Sequence, residues 1–195
     1  MVKPSILAFS GSARKDSYNQ RLVRIAAQGA EQAGAEVTLV DLADYPMPIF
    51  NQDDEAAYGL PEAARAFKKL LIAHDGFLIA SPEYNSAFSP LLKNALDWAS
   101  RREGDEAPLL AYRGKVAGIM AASPGALGGL RGLVFLRLML SNIGVTVLAE
   151  QQGIAQADKA FHPEGYLNDA QLQDAVVKIG GRLADVLQKL QNSGG

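Results

Sequence analysis

Two textures of apolar residues alternate along the chain. Unbroken apolar runs stand at Ile6-Leu7-Ala8-Phe9, Gly76–Ala80 and Val116–Ala121. Between them apolar residues recur in steps of three and four. Short runs without polar alternation predict strands covered on both faces, and stepped patterns predict helices with one apolar face. On this reading strands cover Ser5–Phe9, Glu36–Val40, Gly76–Ala80, Val116–Ala121 and a short Val145–Ala149. The first helix carries Leu22, Ala26, Gly29 and Ala33, opens with a capping box of Ser17 and Gln20, and stops at Gly34. The second opens at Pro61 and runs to about Ala73. The third follows the Ser89 cap with Pro90 in its first position. The fourth covers about Leu130 to Asn142. The last carries Leu172, Val176, Ile179, Leu183, Leu187 and Leu190, and Asn192–Gly195 is expected to fray. Strands alternating with helices over 195 residues predict one α/β domain, a doubly wound five-stranded parallel sheet with helices on both faces.

Ligands of such sheets bind beyond the carboxyl ends of the strands, at the topological switch point. Three loops there are unusual: 10–19, 81–88 and 123–129. Ser10-Gly11-Ser12-Ala13-Arg14-Lys15-Asp16-Ser17-Tyr18-Asn19 joins the first strand to the first helix. Its hydroxyls, backbone N–H groups and guanidinium beside a helix N-terminus make a receptor for a phosphate dianion. It lacks the glycines of a dinucleotide fingerprint and the G-x-x-x-x-G-K-[ST] of a Walker loop, so side-chain donors suit a terminal monophosphate. The competing reading is a solvated N-cap cluster. The second loop sets Glu83, Tyr84 and Asn85 between Pro82 and Pro90, a rigid edge for a planar heterocycle. Glu83 itself could touch a ligand, cap a helix or pair across an interface. The third has Gly125, Gly128 and Gly129, letting backbone approach something flat, or serving ordinary turns. Asp41 reads as a solvated loop acid rather than a ribose-binding one. The connection after the second strand, roughly 20 residues long, exceeds the usual range and reads as a binding or partner-contacting loop. Residues 101–113 read as a second, polar surface loop.

Composition narrows the classes. The chain is 48% apolar and 21% charged with a net charge of −2 and mixed signs, which leaves no electrostatic footprint for nucleic acid or an anionic membrane. It contains no cysteine, which removes disulfides, thiol nucleophiles and iron–sulfur clusters. His74 and His162 lack metal-ligand spacing, so no metal is expected. The apolar stretch Leu127–Leu148 is broken by Arg131, Arg137, Ser141 and Asn142, a poor membrane span. Met1-Val2-Lys3-Pro4 runs into the first strand without a signal-peptide pattern, and a cytoplasmic location is expected.

The three loops together carry a resemblance. Gly11-Ser12-x-Arg14-x-x-Ser17-x-Asn19 is followed by Ser81-Pro82-Glu83-Tyr84-Asn85, by Pro90-x-Leu92-Lys93-Asn94-Ala95-x-Asp97-Trp98, and by Ser123-Pro124-Gly125-x-x-Gly128-Gly129. This series resembles the NADPH-dependent FMN reductase family, in its branch of quinone, azo and chromate reductases. The resemblance spans almost the whole chain. It implies a flavodoxin-like fold, bound FMN, NADPH or NADH as co-substrate, a small-molecule electron acceptor, and a homodimer or homotetramer. It also implies that Ser10, Ser12, Arg14, Ser17 and Asn19 serve the FMN phosphate, with Tyr18 in the same stretch. Pro82, Glu83, Tyr84 and Asn85 would border the flavin ring, and Ser123 and Gly125 would flank its ribityl side.

The flavin then carries the reactivity, so no side chain is assigned as a catalytic acid or base. Two-electron transfer by a ping-pong mechanism is expected, with nicotinamide and acceptor taking turns in one pocket. The rivals are a flavodoxin-type electron carrier and an FMN-binding module without its own substrate. Carriers usually dock through strongly acidic surfaces, and a net charge of −2 supports that weakly. Arg101, Arg102, Arg113 and Arg131 are candidates to meet a 2′-phosphate. The fourth helix, apolar on nearly every side, predicts an oligomer with the third or fourth helix at its interface.

Overall fold

A computed structural model describes residues 3–193. In chain order the elements are β1 (Ser5–Ser10), α1 (Tyr18–Gln32), β2 (Glu36–Asp41), α2 (Gln52–Tyr58), α3 (Glu62–Ala73), β3 (Gly76–Ala80), β4 (Glu83–Tyr84) and β5 (Ala87–Phe88). They continue with α4 (Pro90–Ala99), β6 (Val116–Ala122), α5 (Leu130–Asn142), β7 (Thr146–Ile154), α6 (Ala157–Ala160) and α7 (Ala170–Ser193). Five strands form one parallel sheet in the order β2-β1-β3-β6-β7, the doubly wound arrangement the pattern predicts. The order reverses between β1 and β3, and that reversal sets the crevice.

Residues β1, β3 and β6 contribute to the sheet are nearly all buried, because helices cover both faces. Side chains alternate between two cores. Ile6, Ala8, Leu78 and Met120 pack against Leu22, Ala26, Leu183 and Leu187 of α1 and α7. Leu7, Phe9, Phe77 and Ile119 pack against Phe67, Leu71, Leu92, Leu96, Leu133 and Leu136 of α3, α4 and α5. Each Leu, Ile, Phe or Met side chain among these, fully buried, contributes about 1.5–3 kcal/mol. Helices α1 and α7 cross with their backbones almost touching. A Cβ on Gly29 would sit 2.0 Å from the Val177 carbonyl oxygen, and one on Gly180 would sit 1.8 Å from that of Ala26. No larger residue fits either position.

Four features differ from the sequence pattern. The long connection is not open loop: it holds a 3₁₀ turn at Leu42–Asp44 and the exposed helix α2. Its anchor is α4. Asn94 accepts from the Phe50 N–H (2.8 Å) and donates to the Pro48 carbonyl, and Trp98 Nε1 also donates to that carbonyl (2.8 Å). The fifth strand runs to Ile154, well past Ala149, because residues 148–150 bulge against Gly118 and pairing then resumes at Gln151. Arg137 reaches from α5 to the Val147 carbonyl (3.3 Å) and the Gln151 side chain (2.9 Å) across that bulge. The last helix continues through Asn192 and Ser193, so those residues are not frayed, while Gly194 and Gly195 lie outside the described residues. Loop 81–88 folds into a hairpin, described below. Among the described residues no helix is long and apolar enough to cross a membrane.

Candidate active site

A cleft of about 360 Å³ opens at the carboxyl ends of β1, β3 and β6. Three segments line it: Ser12, Arg14, Ser17, Tyr18 and Asn19; Pro82, Glu83 and Tyr84; and Ala122, Ser123 and Pro124. The three unusual loops therefore meet at one place, although more than 60 residues separate the first from the second in sequence.

The first segment is shaped around a helix N-terminus. Ser17 caps α1, its hydroxyl accepting from the Gln20 N–H at 3.4 Å. The expected capping box is only half formed. The Gln20 amide turns away to donate to the Ser12 carbonyl (3.1 Å) and Asp41 (2.8 Å), while the Ser17 N–H donates to the Arg14 carbonyl. Asp41 is thus a structural acid: its other oxygen accepts from the Ala43 N–H at 2.9 Å. The N–H groups of Ser12 and Ala13 have no protein acceptor among the described residues, and those of Tyr18 and Asn19 are the orphan donors of a first helical turn. Arg14 lies over the Tyr18 ring, 5.3 Å from its centroid, and Tyr18 stacks on Phe161 at 5.8 Å. Cation and aromatic thus hold each other at the mouth of the cleft. Lys15 is exposed and does not line it.

Asn19 is buried and lines the cleft, and its side chain also braces the neighbouring strand. Its Oδ1 accepts from the Ala122 N–H (2.8 Å) and its Nδ2 donates to the Ala122 carbonyl (2.9 Å). Its side chain therefore ties α1 to the end of β6, with a single Nδ2 proton to spare. Ser10 does not line the cleft. Its hydroxyl is buried behind the loop with no hydrogen-bond partner.

The second segment is a two-residue hairpin. Glu83 pairs with Phe88 and Tyr84 with Ala87, which leaves Asn85 and Ser86 as the turn, both left-handed at φ 50° and 70°. That turn matches the twist of the flanking strands and favours asparagine at its start. Asn85 consequently sits at the tip and not in the cleft lining. Tyr84 is 55% exposed, an aromatic held at the rim by backbone. Glu83 lines the cleft, but its carboxylate is taken by α5. One oxygen accepts from the Gly132 N–H (3.0 Å), and the other pairs with Arg131 at 2.8 Å. Of the three roles open to it in sequence, this is the helix-capping one.

The third segment is held by β7 and α6. The Ser123 N–H donates to the Ile154 carbonyl, and the Ser123 carbonyl accepts from the Ala157 N–H. Its hydroxyl accepts from the Gly125 N–H at 3.2 Å, so Gly125 closes the turn next to the cleft without lining it. Ala122 and Pro124 also join the lining, and the sequence pattern does not single them out. Pro124 belongs to the Ser123-Pro124-Gly125 motif, whereas Ala122 shows itself only through its bond to Asn19. Of the four arginines considered for a 2′-phosphate, Arg101 pairs with Glu55, Arg102 donates to the Glu106 carbonyl, and Arg113 packs against Gly144. Arg131 is the one that adjoins a cleft residue.

These donors fit the phosphate monoester of FMN: open backbone N–H groups, two hydroxyls and one guanidinium around a helix N-terminus, with no carboxylate turned inward. Fold and cleft together define a mononucleotide-binding flavodoxin-like domain. Comparison with known proteins narrows this. Residues 4–159 match the model of the NADPH-dependent FMN reductase family. The chain is 35% identical over 172 residues to an NAD(P)H-dependent FMN reductase of Pseudomonas aeruginosa, covering 88% of each protein. It is 33% identical over 194 residues to an NADPH:quinone oxidoreductase of Arabidopsis thaliana, covering 97% of this chain and 92% of that one. Among solved structures, FerB of Paracoccus denitrificans, a flavoenzyme NAD(P)H:(acceptor) oxidoreductase, superposes with a TM-score of 0.79 at 26% identity, over 96% of this chain and 98% of that one. The chain belongs to the NADPH-dependent FMN reductase family. It is an FMN-dependent oxidoreductase that uses NAD(P)H.

Proposed function

We propose that the protein passes electron pairs from NAD(P)H to quinone-like, azo or similar small acceptors in this cleft. The convergence of the three loops on one opening carries the reading. FMN, when bound, supplies the two-electron chemistry, accepting a hydride from the nicotinamide and giving the pair to the acceptor. The chain's own residues bind and orient. Ser12, Ser17, Arg14 and the N–H groups of Ser12, Ala13, Tyr18 and Asn19 take the phosphate. Tyr84 and Pro82 border the ring, and Ala122, Ser123 and Pro124 form the opposite wall. No side chain in the cleft is placed to act as an acid or base, so proton transfer falls to water and the flavin. Glu83 contributes indirectly by fixing the hairpin to α5. One opening serves both the nicotinamide and the acceptor, and this supports alternating, ping-pong turnover.

The assembly is a second part of the proposal. The inner face of α5 buries Leu133, Leu136 and Leu140, while Leu130, Val134, Phe135 and Leu138 stand exposed on its outer face. Leu127, in the loop before α5, is exposed as well. A continuous apolar face of this kind fits a second copy of itself across a two-fold axis. We assign it to a homodimer contact, in a protein of the cytoplasm. The chemistry is tested by anaerobic titration. Protein reconstituted with FMN should lose its flavin absorbance on stoichiometric NADPH and regain it on adding a quinone; flavin that NADPH leaves oxidised would refute the reading.

A further inference from the structure

The loop that receives the phosphate is held from behind. Gly11 follows the last residue of β1, and its N–H continues the ladder to the Ala80 carbonyl at 2.8 Å. Its carbonyl accepts a hydrogen bond from the Ser89 hydroxyl at 2.5 Å. Ser89 is 1% exposed and is the first link of α4, where its Oγ also accepts from the Leu92 N–H at 3.1 Å. The Ser89 N–H in turn donates to the Ser81 hydroxyl (3.2 Å), which donates to the Pro82 carbonyl (3.0 Å). The contact is close enough that a Cβ on Gly11 would lie 2.8 Å from the Ser89 hydroxyl and 2.9 Å from Leu92.

A trans peptide is planar, with its C=O and N–H pointing in opposite directions, and no peptide bond among the described residues is cis. Pinning the Gly11 carbonyl against α4 therefore turns the Ser12 N–H away from α4. Ser12 lines the cleft, and no residue of α4 does. On the next peptide, Gln20 holds the Ser12 carbonyl. Consecutive carbonyls are thus taken by the protein, and the N–H groups that follow them are left for an anion.

We infer that Ser89 is a positioning residue for the flavin phosphate. Its hydroxyl fixes the Gly11–Ser12 peptide so that the Ser12 N–H faces the phosphate, and it joins that seat to the hairpin at the ring through Ser81. The inference rests on the phosphate seat proposed above. It goes beyond N-capping, which would stabilise α4 without favouring one flavin over another.

The test compares two ligands that differ only in the phosphate. FMN and riboflavin are titrated into apoprotein by fluorescence, for the wild type and for Ser89→Gly. Glycine is nearly as good an N-cap as serine but has no hydroxyl, so α4 keeps its start and Gly11 loses its partner. The wild type should bind FMN well above riboflavin. Ser89→Gly should lower that preference about tenfold, the scale of one hydrogen bond to a charged group, with riboflavin affinity unchanged. Ser89→Ala gives the same ratio test if the glycine variant fails to fold, because the ratio cancels any loss common to both ligands. Equal weakening of both flavins, or an unchanged ratio, would overturn the role of Ser89 and leave the seat standing. Equal affinity of the wild type for FMN and riboflavin would overturn the seat itself, and this inference with it.

Discussion

The polar side chains nearest the cleft serve mostly the protein itself. Asn19 completes the backbone of Ala122, Glu83 caps α5, Gln20 holds Ser12 and Asp41, and Ser89 holds Gly11. What remains open to a ligand at the α1 N-terminus is backbone N–H, the hydroxyls of Ser12 and Ser17, and the guanidinium of Arg14. Among the described residues Arg14 is the one cation lining the cleft. Arg14→Ala should weaken FMN binding by about 1.5–3 kcal/mol, the range for a hydrogen bond to a charged group. Lys15→Ala, on an exposed side chain outside the cleft, should change it by far less. Equal and negligible effects in flavin-fluorescence titrations would remove this loop from the phosphate. Arg14 was legible in sequence because charge and loop position suffice to nominate it. For Glu83 the sequence leaves helix-capping as one of three roles, because its partner Gly132 lies 49 residues away and only the fold brings them together.

Among the elements, the segment after α4 shows how irregular chain is kept in place. Residues 101–113 contain no helix or strand, yet Ala111 and Tyr112 are fully buried, and the Tyr112 hydroxyl donates to the Leu96 carbonyl at 2.7 Å. Burial pushes the Tyr112 phenol well above its ordinary value. The buried ammonium of Lys68 in α3 ties the same segment, donating to the Arg101 carbonyl and pairing with Glu106. The hydrogen bond from Lys68, with help from the Glu103 N–H, holds the Glu106 carboxyl below its ordinary value of 4.5. A carboxylate depressed on folding stabilises above its unfolded pKa, and that stabilisation is lost as pH falls through its folded value. Glu106→Ala should therefore cost about 1.5–3 kcal/mol near neutral pH. In denaturant titrations the difference from wild type should shrink as pH drops through and below the carboxylate range. A pH-independent difference would mean that packing, not the ion pair, is lost. The long sheet strands and helices were legible because burial on one or two faces writes a period into the sequence. The hairpin β4–β5, the exposed helix α2 and the bulge in β7 were not. Two-residue strands are too short for a period, α2 buries none of its residues, and the bulge arises from pairing with β6.

At the scale of the whole molecule, the face of α5 and the cleft lie side by side, joined by Glu83 and Arg131. A dimer closing over Leu130, Val134 and Leu138 would bring a second copy to the rim of each cleft. Light scattering at micromolar concentration should report twice the monomer mass for the wild type, and Leu138→Asp, a charge at the most exposed of the three (66%), should return it toward the monomer. A monomeric wild type would leave the apolar face without the partner assigned to it. The central claim concerns turnover in one shared opening, without a protein partner. It is tested most directly by initial rates of NADPH oxidation across a grid of NADPH and quinone concentrations, with purified FMN-loaded protein and no other reductase. The account predicts sustained turnover with parallel double-reciprocal lines, because the two substrates alternate at one site. Absence of turnover until a separate reductase is added, or lines that intersect, would contradict it.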